Sequence, residues 1–352
     1  MRGKGKIAGI VITLVCLWLA FYNVDFQELY GALAGADYRL IGPAAVLWLV
    51  GYCVRTLRWR ALLAGSRVGT IVGLFGVLMV GFATNNLLPA RLGEIARAYL
   101  LRRQTGLRKT FVLASIFLER IFDGLALVAM LLVLSLLIEL PGWGREVEIV
   151  ATALFVGVTL GVVILLYRDD LVARLVAYVA RPLPARLGAF AVSAFGAFVS
   201  GLGSMRRVDV VASSSVLSLA VWGIEWAAYV TVASAFNLGL TPVQLAAACA
   251  FLLVVVNLGI MLPAAPGYVG TFQFFAVSAL SVWGVPREPA LAIAIVSHLT
   301  QYVLVTAIGL VFFSREHLSL RTVGSVSRAS DEGEAEPVHT AEATATLGEA
   351  RS

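Results

Sequence analysis

The sequence predicts an all-α integral membrane protein: a polytopic helical bundle of two inverted repeats, each carrying a re-entrant, broken-helix hairpin. Three observations lead there. Hydrophobic residues make up 60% of the chain, charged residues only 14%, and the mean hydropathy is +0.90, whereas soluble domains carry about 25% charged residues. A polar interruption of an apolar span, Asn85 to Glu94, returns around Asn257 to Gly267, and both copies read Leu-Pro-Ala-x-x-Gly behind an upstream asparagine. Finally, the basic residues fall into alternate loops, which fixes how the apolar stretches thread the bilayer.

Taken in order, Ile7–Tyr22 is a first span behind Arg2, Lys4 and Lys6, read as a retained anchor because no small-residue cleavage site follows it. A short acidic loop, Asn23–Tyr38, leads to a second span, Arg39–Val54, which ends in the basic stop Arg55-Thr56-Leu57-Arg58-Trp59-Arg60. Val68–Leu88 enters the first break and Arg91–Leu101 leaves it. Thr110–Ile138 and Ile149–Tyr167 are the next spans. Apolar density then falls from Arg168 to Arg207, where recurring arginines predict amphipathic helices along the membrane face. Val211–Phe236 is a span, Val243–Leu262 and Tyr268–Trp283 flank the second break, and Pro289–Phe313 is the last span. The domain reading is therefore a membrane domain, 1–313, with halves of about 1–140 and 141–313, and a polar tail, 314–352, of disordered composition.

The breaks decide the topology. If Val68–Leu88 simply crossed the membrane, the loop holding Arg102, Arg103, Arg108 and Lys109 would lie outside, against the tendency of Lys and Arg to remain cytoplasmic. Making both broken stretches re-entrant places 20 of the 27 Lys and Arg residues on the cytoplasmic side and only Arg39, Arg145 and Arg287 outside. Each half then has two spans, a hairpin and a third span, and the second half is upside down relative to the first. Both termini are expected in the cytoplasm and the chain in the cytoplasmic membrane.

The candidate substrate-binding residues are the polar groups such a protein would keep away from lipid. Arg91, Glu94 and Arg97 follow one another at i+3 spacing beside Asn86, and read as a lip for an anion such as phosphate. Glu119 and Asp123 share a face with Ser115, and Arg120 lies three residues before Asp123. These charges read either as a polar path or as salt-bridge staples, for instance Arg120 with Glu94. Glu225 is a lone mid-span carboxylate that needs a cation or a wet site. Tyr268 and Gln273 follow the second break, while His298 and Gln301, one turn apart, read as satisfied core polars. The helix-breaking residues are Pro89, Gly93, Pro263, Pro266 and Gly267. Cys16, Cys53 and Cys249 have neither disulfide nor metal spacing and read as buried small hydrophobes. No metal or cofactor is expected, and no nucleophile elbow, P-loop or dinucleotide fingerprint is present to suggest an enzyme.

Four stretches carry a family resemblance: Arg55-x-x-Arg58-Trp59-x-x-Leu62-Leu63, Asn86-Leu87-Leu88-Pro89-Ala90-Arg91-Leu92-Gly93-Glu94-x-x-Arg97, Glu119-Arg120-x-x-Asp123, and Pro266-Gly267-Tyr268-x-Gly270. In this order, over roughly residues 5–315, the chain resembles the flippase-like family that includes the transmembrane region of lysylphosphatidylglycerol synthases. The resemblance implies lipid translocation. It does not carry over lysyl-lipid synthesis, because nothing after residue 313 is long enough for the aminoacyl-transfer domain of the bifunctional members. Under it Arg91, Arg97 and Arg120 would meet a lipid phosphate, and Glu94, Glu119, Asp123 and Glu225 would balance charge or bind a headgroup amine. A polyprenyl-phosphate-linked glycan is the alternative cargo, and an accessory role beside a lipid-modifying enzyme the alternative function. Expected partners are membrane lipids, with a separately encoded lipid-modifying enzyme or further copies of the chain as protein partners; nucleic acid is not among them.

Overall fold

A computed structural model describes residues 2–63, 66, 68–88, 92–139, 142–167, 178, 202, 206–261 and 266–315, with side chains from residue 11 onward except 165 and 166. Pro89, Ala90, Arg91 and Pro263, most of the stretch predicted to lie along the membrane face, and the tail beyond Arg315 lie outside these residues. Among the described residues every regular element is helical.

The helices are α1 (Arg2–Phe21), α2 (Phe26–Ala34), α3 (Ile41–Leu62), α4 (Ile71–Leu87), α5 (Leu92–Thr105), α6 (Lys109–Leu137), α7 (Gly142–Tyr167), α8 (Val208–Ala233), α9 (Pro242–Gly259), α10 (Thr271–Ser281) and α11 (Arg287–Arg315). Six of the described helical stretches, those of α3, α6, α7, α8, α9 and α11, are long and apolar enough to cross a membrane.

Three boundaries differ from the sequence reading, each for a visible reason. The acidic loop contains α2, because Asp25 caps its start, accepting from the amides of Gln27 and Glu28 at 2.7 and 3.2 Å. The predicted basic stop after Val54 is instead two further turns of α3, in which Arg55 and Arg58 are buried among carboxylates of neighbouring helices. The span predicted from Ile149 begins earlier, at Gly142. Cys16 and Cys249 are buried as expected, but Cys53 is exposed on the outer side of α3.

The first break is a helical hairpin. Gly81 of α4 faces Gly93 and Arg97 of α5, and Gly73 faces Gln104, so the two helices run antiparallel. A β-carbon on Gly93 would lie 2.0 Å from the carbonyl oxygen of Gly81, a backbone atom that cannot step aside. Only glycine allows the close approach. Asn85 completes the turn: its side-chain oxygen accepts from the Gly93 amide at 2.7 Å, satisfying a donor at the start of α5. The second break connects α9 to α10 through a single turn of 3₁₀ helix, Pro266–Tyr268. Gly267, Tyr268 and Gly270 have φ of 70°, 57° and 87°, a region that costs little for glycine but is unusual for tyrosine.

The helices pack in a matching pattern. α3 lies antiparallel to α8, with Trp48 on Tyr229, Gly51 against Ile224 and Arg58 on Ser218. α4 packs on α5, α3 and α11; α6 packs on α5, α3, α8 and α9; α8 and α10 each pack on α9 and α11; and α3 packs on α11. Exchanging α3 with α8, α4 with α9, α5 with α10 and α6 with α11 turns the α3–α8 pair into itself and each of the other pairs into another of them. Three elements stand outside the exchange: α1 packs on α10, α2 on α11, and α7 on α6.

Candidate functional site

A chain of ion pairs runs through the first half and across to α8. Arg97 of α5 meets Glu119 of α6 at 2.5 Å, and its guanidinium lies 3.9 Å from the centre of the Trp59 ring. Trp59 in turn donates from Nε1 to Ser115 Oγ at 3.0 Å. Arg58 donates to Asp123 at 2.6 Å and to Ser218 at 2.9 Å, with Glu119 at 3.7 Å. Arg55 is hydrogen-bonded to Glu225 of α8, lies 3.6 Å from Asp123, and sits over the Trp222 ring. Gln301 of α11 donates to the other oxygen of Glu225 at 3.1 Å.

The spacing of these residues makes the chain possible. Arg55 and Arg58 are one turn apart on α3 and face Asp123 and Glu119, one turn apart on the antiparallel α6. Each charge is thereby withdrawn from lipid with an opposite charge in place. Removing one member of a buried pair typically costs ~3–5 kcal/mol, because the other is left unpaired.

Beside this chain lies a cavity of about 250 Å³. It is lined from both halves: Asn85, Asn86 and Glu94 come from the first break, Asn257, Ile260, Met261 and Tyr268 from the second. Arg55, Arg120, Asp123, Trp222 and Glu225 line it too, as do His298, Gln301 and Tyr302 of α11. Arg120 and Glu94 are held least. The Arg120 side chain is 42% exposed, its nearest carboxylate oxygen lies 3.5 Å away on Asp123, and its buried Nε has no hydrogen-bond partner. No described cation lies within ion-pair distance of Glu94. These two do not form an ion pair, since Arg120 turns to Asp123; the hairpin is tied to α6 by Arg97 and Glu119 instead.

The breaks touch each other as well as the cavity. The Asn86 carbonyl accepts from the Tyr302 hydroxyl at 3.4 Å, and the Asn86 side chain donates to Thr306 at 3.0 Å. A β-carbon on Gly267 would lie 3.3 Å from the same Asn86 oxygen and 2.7 Å from the Tyr302 ring. On the second side the polar groups are neutral. Gln273 Oε1 accepts from the Gly270 amide at 2.7 Å, which commits the amide NH₂ to His298 Nδ1 at 3.1 Å. His298 therefore carries its proton on Nε2.

Of the sequence-predicted residues, Asn86, Glu94, Arg120, Asp123, Glu225 and Tyr268 line the cavity. Arg97, Glu119 and Gln273 are buried and are not among its lining residues. Arg91, Pro89 and Pro263 lie outside the described residues; Gly93 is inside α5, and Pro266 and Gly267 form the second turn. Sequence reasoning missed Arg55, read as a loop residue, and Tyr52 one turn before it. It also placed His298 and Gln301 in the core, whereas both reach the cavity. The available signal was Arg55-x-x-Arg58 itself, two cations one turn apart directly continuing an apolar helix.

Comparison with known proteins agrees with the four motifs. A family model described as "Lysylphosphatidylglycerol synthase TM region" matches residues 6–309. "Glycosyltransferase AglD" of Haloferax volcanii is 29% identical over 325 residues, covering 83% of this chain. The chain spans only about half, 51%, of that relative's own length. Two proteins of Methanothermobacter thermautotrophicus, each described as "UPF0104 membrane protein", are 26% and 24% identical and align over 88% and 87% of this chain and 94% and 91% of their own. With the match running through both breaks and the ion-pair chain, the protein belongs to the family of the lysylphosphatidylglycerol synthase transmembrane region.

Proposed function

We propose that the protein is a carrier, not a catalyst, and moves a lipid headgroup between the leaflets of the cytoplasmic membrane through the cavity between its two breaks. The observation that carries this reading is the pair of loosely held opposite charges, Arg120 and Glu94, facing one cavity built from both halves. An arginine with a partnerless Nε suits a phosphate oxygen, and a carboxylate with no described cation within ion-pair distance suits an amine. At about 250 Å³ the cavity falls below the ~300–1,000 Å³ of pockets that enclose drug-sized ligands. It fits a phosphodiester and a small substituent, with the acyl chains left in the bilayer.

Charge balance sharpens the cargo. The described network sets Arg55, Arg58, Arg97 and Arg120 against Glu94, Glu119, Asp123 and Glu225. A headgroup near neutrality, such as a zwitterionic phosphodiester, enters it without a counter-ion, whereas a pyrophosphate would bring charge the cavity does not match. A glycan on a polyprenyl phosphate is the second reading, favoured by the glycosyltransferase named among the relatives.

We also read the halves as inverted repeats with re-entrant hairpins and both termini in the cytoplasm. The exchange of packed pairs supports the repeat. The lengths of α5 and α10, 14 and 11 residues, support re-entry, since at 1.5 Å per residue they reach only about 21 and 17 Å of a ~30 Å hydrocarbon core. Moving Arg55 and Arg58 from the loop into α3 weakens the charge bias by two residues without reversing it. A Gln104→Cys probe labelled from the cytoplasmic side is the expected result; labelling only from outside would turn α4 into an ordinary span.

The central test is leaflet exchange of labelled lipids by purified protein in liposomes. Exchange of zwitterionic phospholipid above that of protein-free vesicles is expected. Exchange confined to polyprenyl-phosphate sugars would select the second reading, and none with either cargo would refute transport.

A further inference from the structure

The cavity holds a headgroup, so a lipid must reach it sideways, and one helix is built differently from the rest. α7 is the least buried of the six apolar helices: 17% of its most apolar stretch is buried, against 28–56% in the others. Its main neighbour among the described residues is α6, to which it runs antiparallel, with Glu148 accepting from Ser135 at 2.9 Å. α7 has no place in the exchange of packed pairs.

One α7 side chain nevertheless reaches the cavity. The Phe155 ring is buried and lines the cavity together with Gly124 and Leu127 of α6, Asn257 of α9 and Ile260 just beyond it. It gets there because position 124 has no side chain: a β-carbon on Gly124 would fall 1.7 Å from the ring. Phe155 belongs to a small satellite cluster with Val128 and Ala151, with Leu125 and Leu258 against it, and further along α7 Val158 and Val162 join a second small cluster with Leu62, Leu118 and Phe122, both separate from the main core. Nearer its start, α7 meets α9 through Trp143 and Phe251, with ring centres 5.5 Å apart.

We propose that α7 is the lateral gate of the cavity and Phe155 its plug, so that lipid headgroups enter between α6 and α9 when α7 swings from the seam. This rests on the lipid-carrier reading above. The physical basis is a difference in what must be broken. Opening between α3 and α8, or between α5 and α6, would separate buried ion pairs, whereas displacing α7 separates one ring from a glycine, apolar contacts in two small clusters and around Trp143 and Val147, and one half-buried hydrogen bond. The exposed face of α7, with Ile149, Val150, Leu154 and Leu160, already faces outward, so a moved helix still meets acyl chains.

The test locks the gate without touching the polar site. In a background with Cys16, Cys53 and Cys249 replaced, Trp143→Cys and Phe251→Cys would be joined by a short bifunctional thiol reagent. Exchange of labelled phosphatidylethanolamine in liposomes is expected to fall about tenfold or more and to return on reduction. Binding of water-soluble glycerophosphoethanolamine, followed by the fluorescence of Trp222 at the cavity wall, should stay within about twofold in detergent. Phe155→Ala, which removes the plug, is expected to raise exchange, and its melting temperature shows whether it is folded. A linked protein exchanging lipid as fast as the unlinked one overturns the gate alone. An unlinked parent that exchanges no lipid overturns the carrier reading, and the gate with it.

Discussion

The two broken helix pairs perform the same geometric task with different chemistry. In α4–α5 the break is held by charge: Arg97 of α5 is locked to Glu119, under a network reaching α3 and α8. In α9–α10 it is held by neutral hydrogen bonds, Gln273 to the Gly270 amide and to His298, and by a turn with three residues at positive φ. A charged support has to recruit partners from other helices, since a buried ion alone is costly. A neutral support is satisfied by its own turn and one neighbour. The first pair is therefore tied into the whole bundle, and the second is largely self-contained.

The strongest way to break this contrast is Arg97→Ala. It strands Glu119, whose remaining cation, Arg58, is 3.7 Å away and already bonded to Asp123. A loss of ~3–5 kcal/mol is expected, read as a fall in melting temperature of the purified protein. Replacing Glu119 with Gln in the same chain should recover much of it; full stability of the single variant would mean the pair does not hold the hairpin. On the neutral side, Gln273→Ala leaves the Gly270 amide without its acceptor, at ~1–3 kcal/mol. Because the bonds are local, its effect should add to that of Arg97→Ala. Strong coupling in a double-mutant cycle would show that the two breaks are not independent supports. The smallest stability effect belongs to Glu94→Gln. With no described ion-pair partner, it should shift stability by less than about 0.5 kcal/mol while lowering lipid exchange. Unchanged exchange would take Glu94 out of the transport path.

The breaks were legible in the sequence because they violate helix chemistry in the open: Asn85 and Asn86 before Leu-Pro-Ala, and Pro266-Gly267 before Tyr268, interrupt apolar stretches with residues that need internal partners. The packed faces of α6 were also legible, since Ser115, Glu119 and Asp123 recur every four residues and do share partners on α3. What stayed hidden was long-range pairing. Arg55 finds Glu225 at a separation of 170 residues and Arg58 finds Ser218 at 160. A basic residue at the end of an apolar run normally marks the water surface; here the run continues and the charge is neutralised from the side. His298 and Gln301 were hidden for the opposite reason. Neutral polar side chains on a helix look alike whether they meet a core or a cavity, and only the fold brings both to the cavity and Gln301 to Glu225.

The balance of guanidinium and carboxylate groups around the cavity has an electrical consequence. Carrying one elementary charge across the membrane potential is worth about 2.3 kcal/mol per 100 mV, so any moving part with a net charge would make the cycle respond to voltage. The four arginines and four acidic residues of the described network sum to zero. If they travel together as the bundle rocks, they contribute no gating charge. The field would then act on the cargo alone: a zwitterionic lipid would cross at a rate indifferent to the resting potential, and a singly charged one would be drawn toward one leaflet.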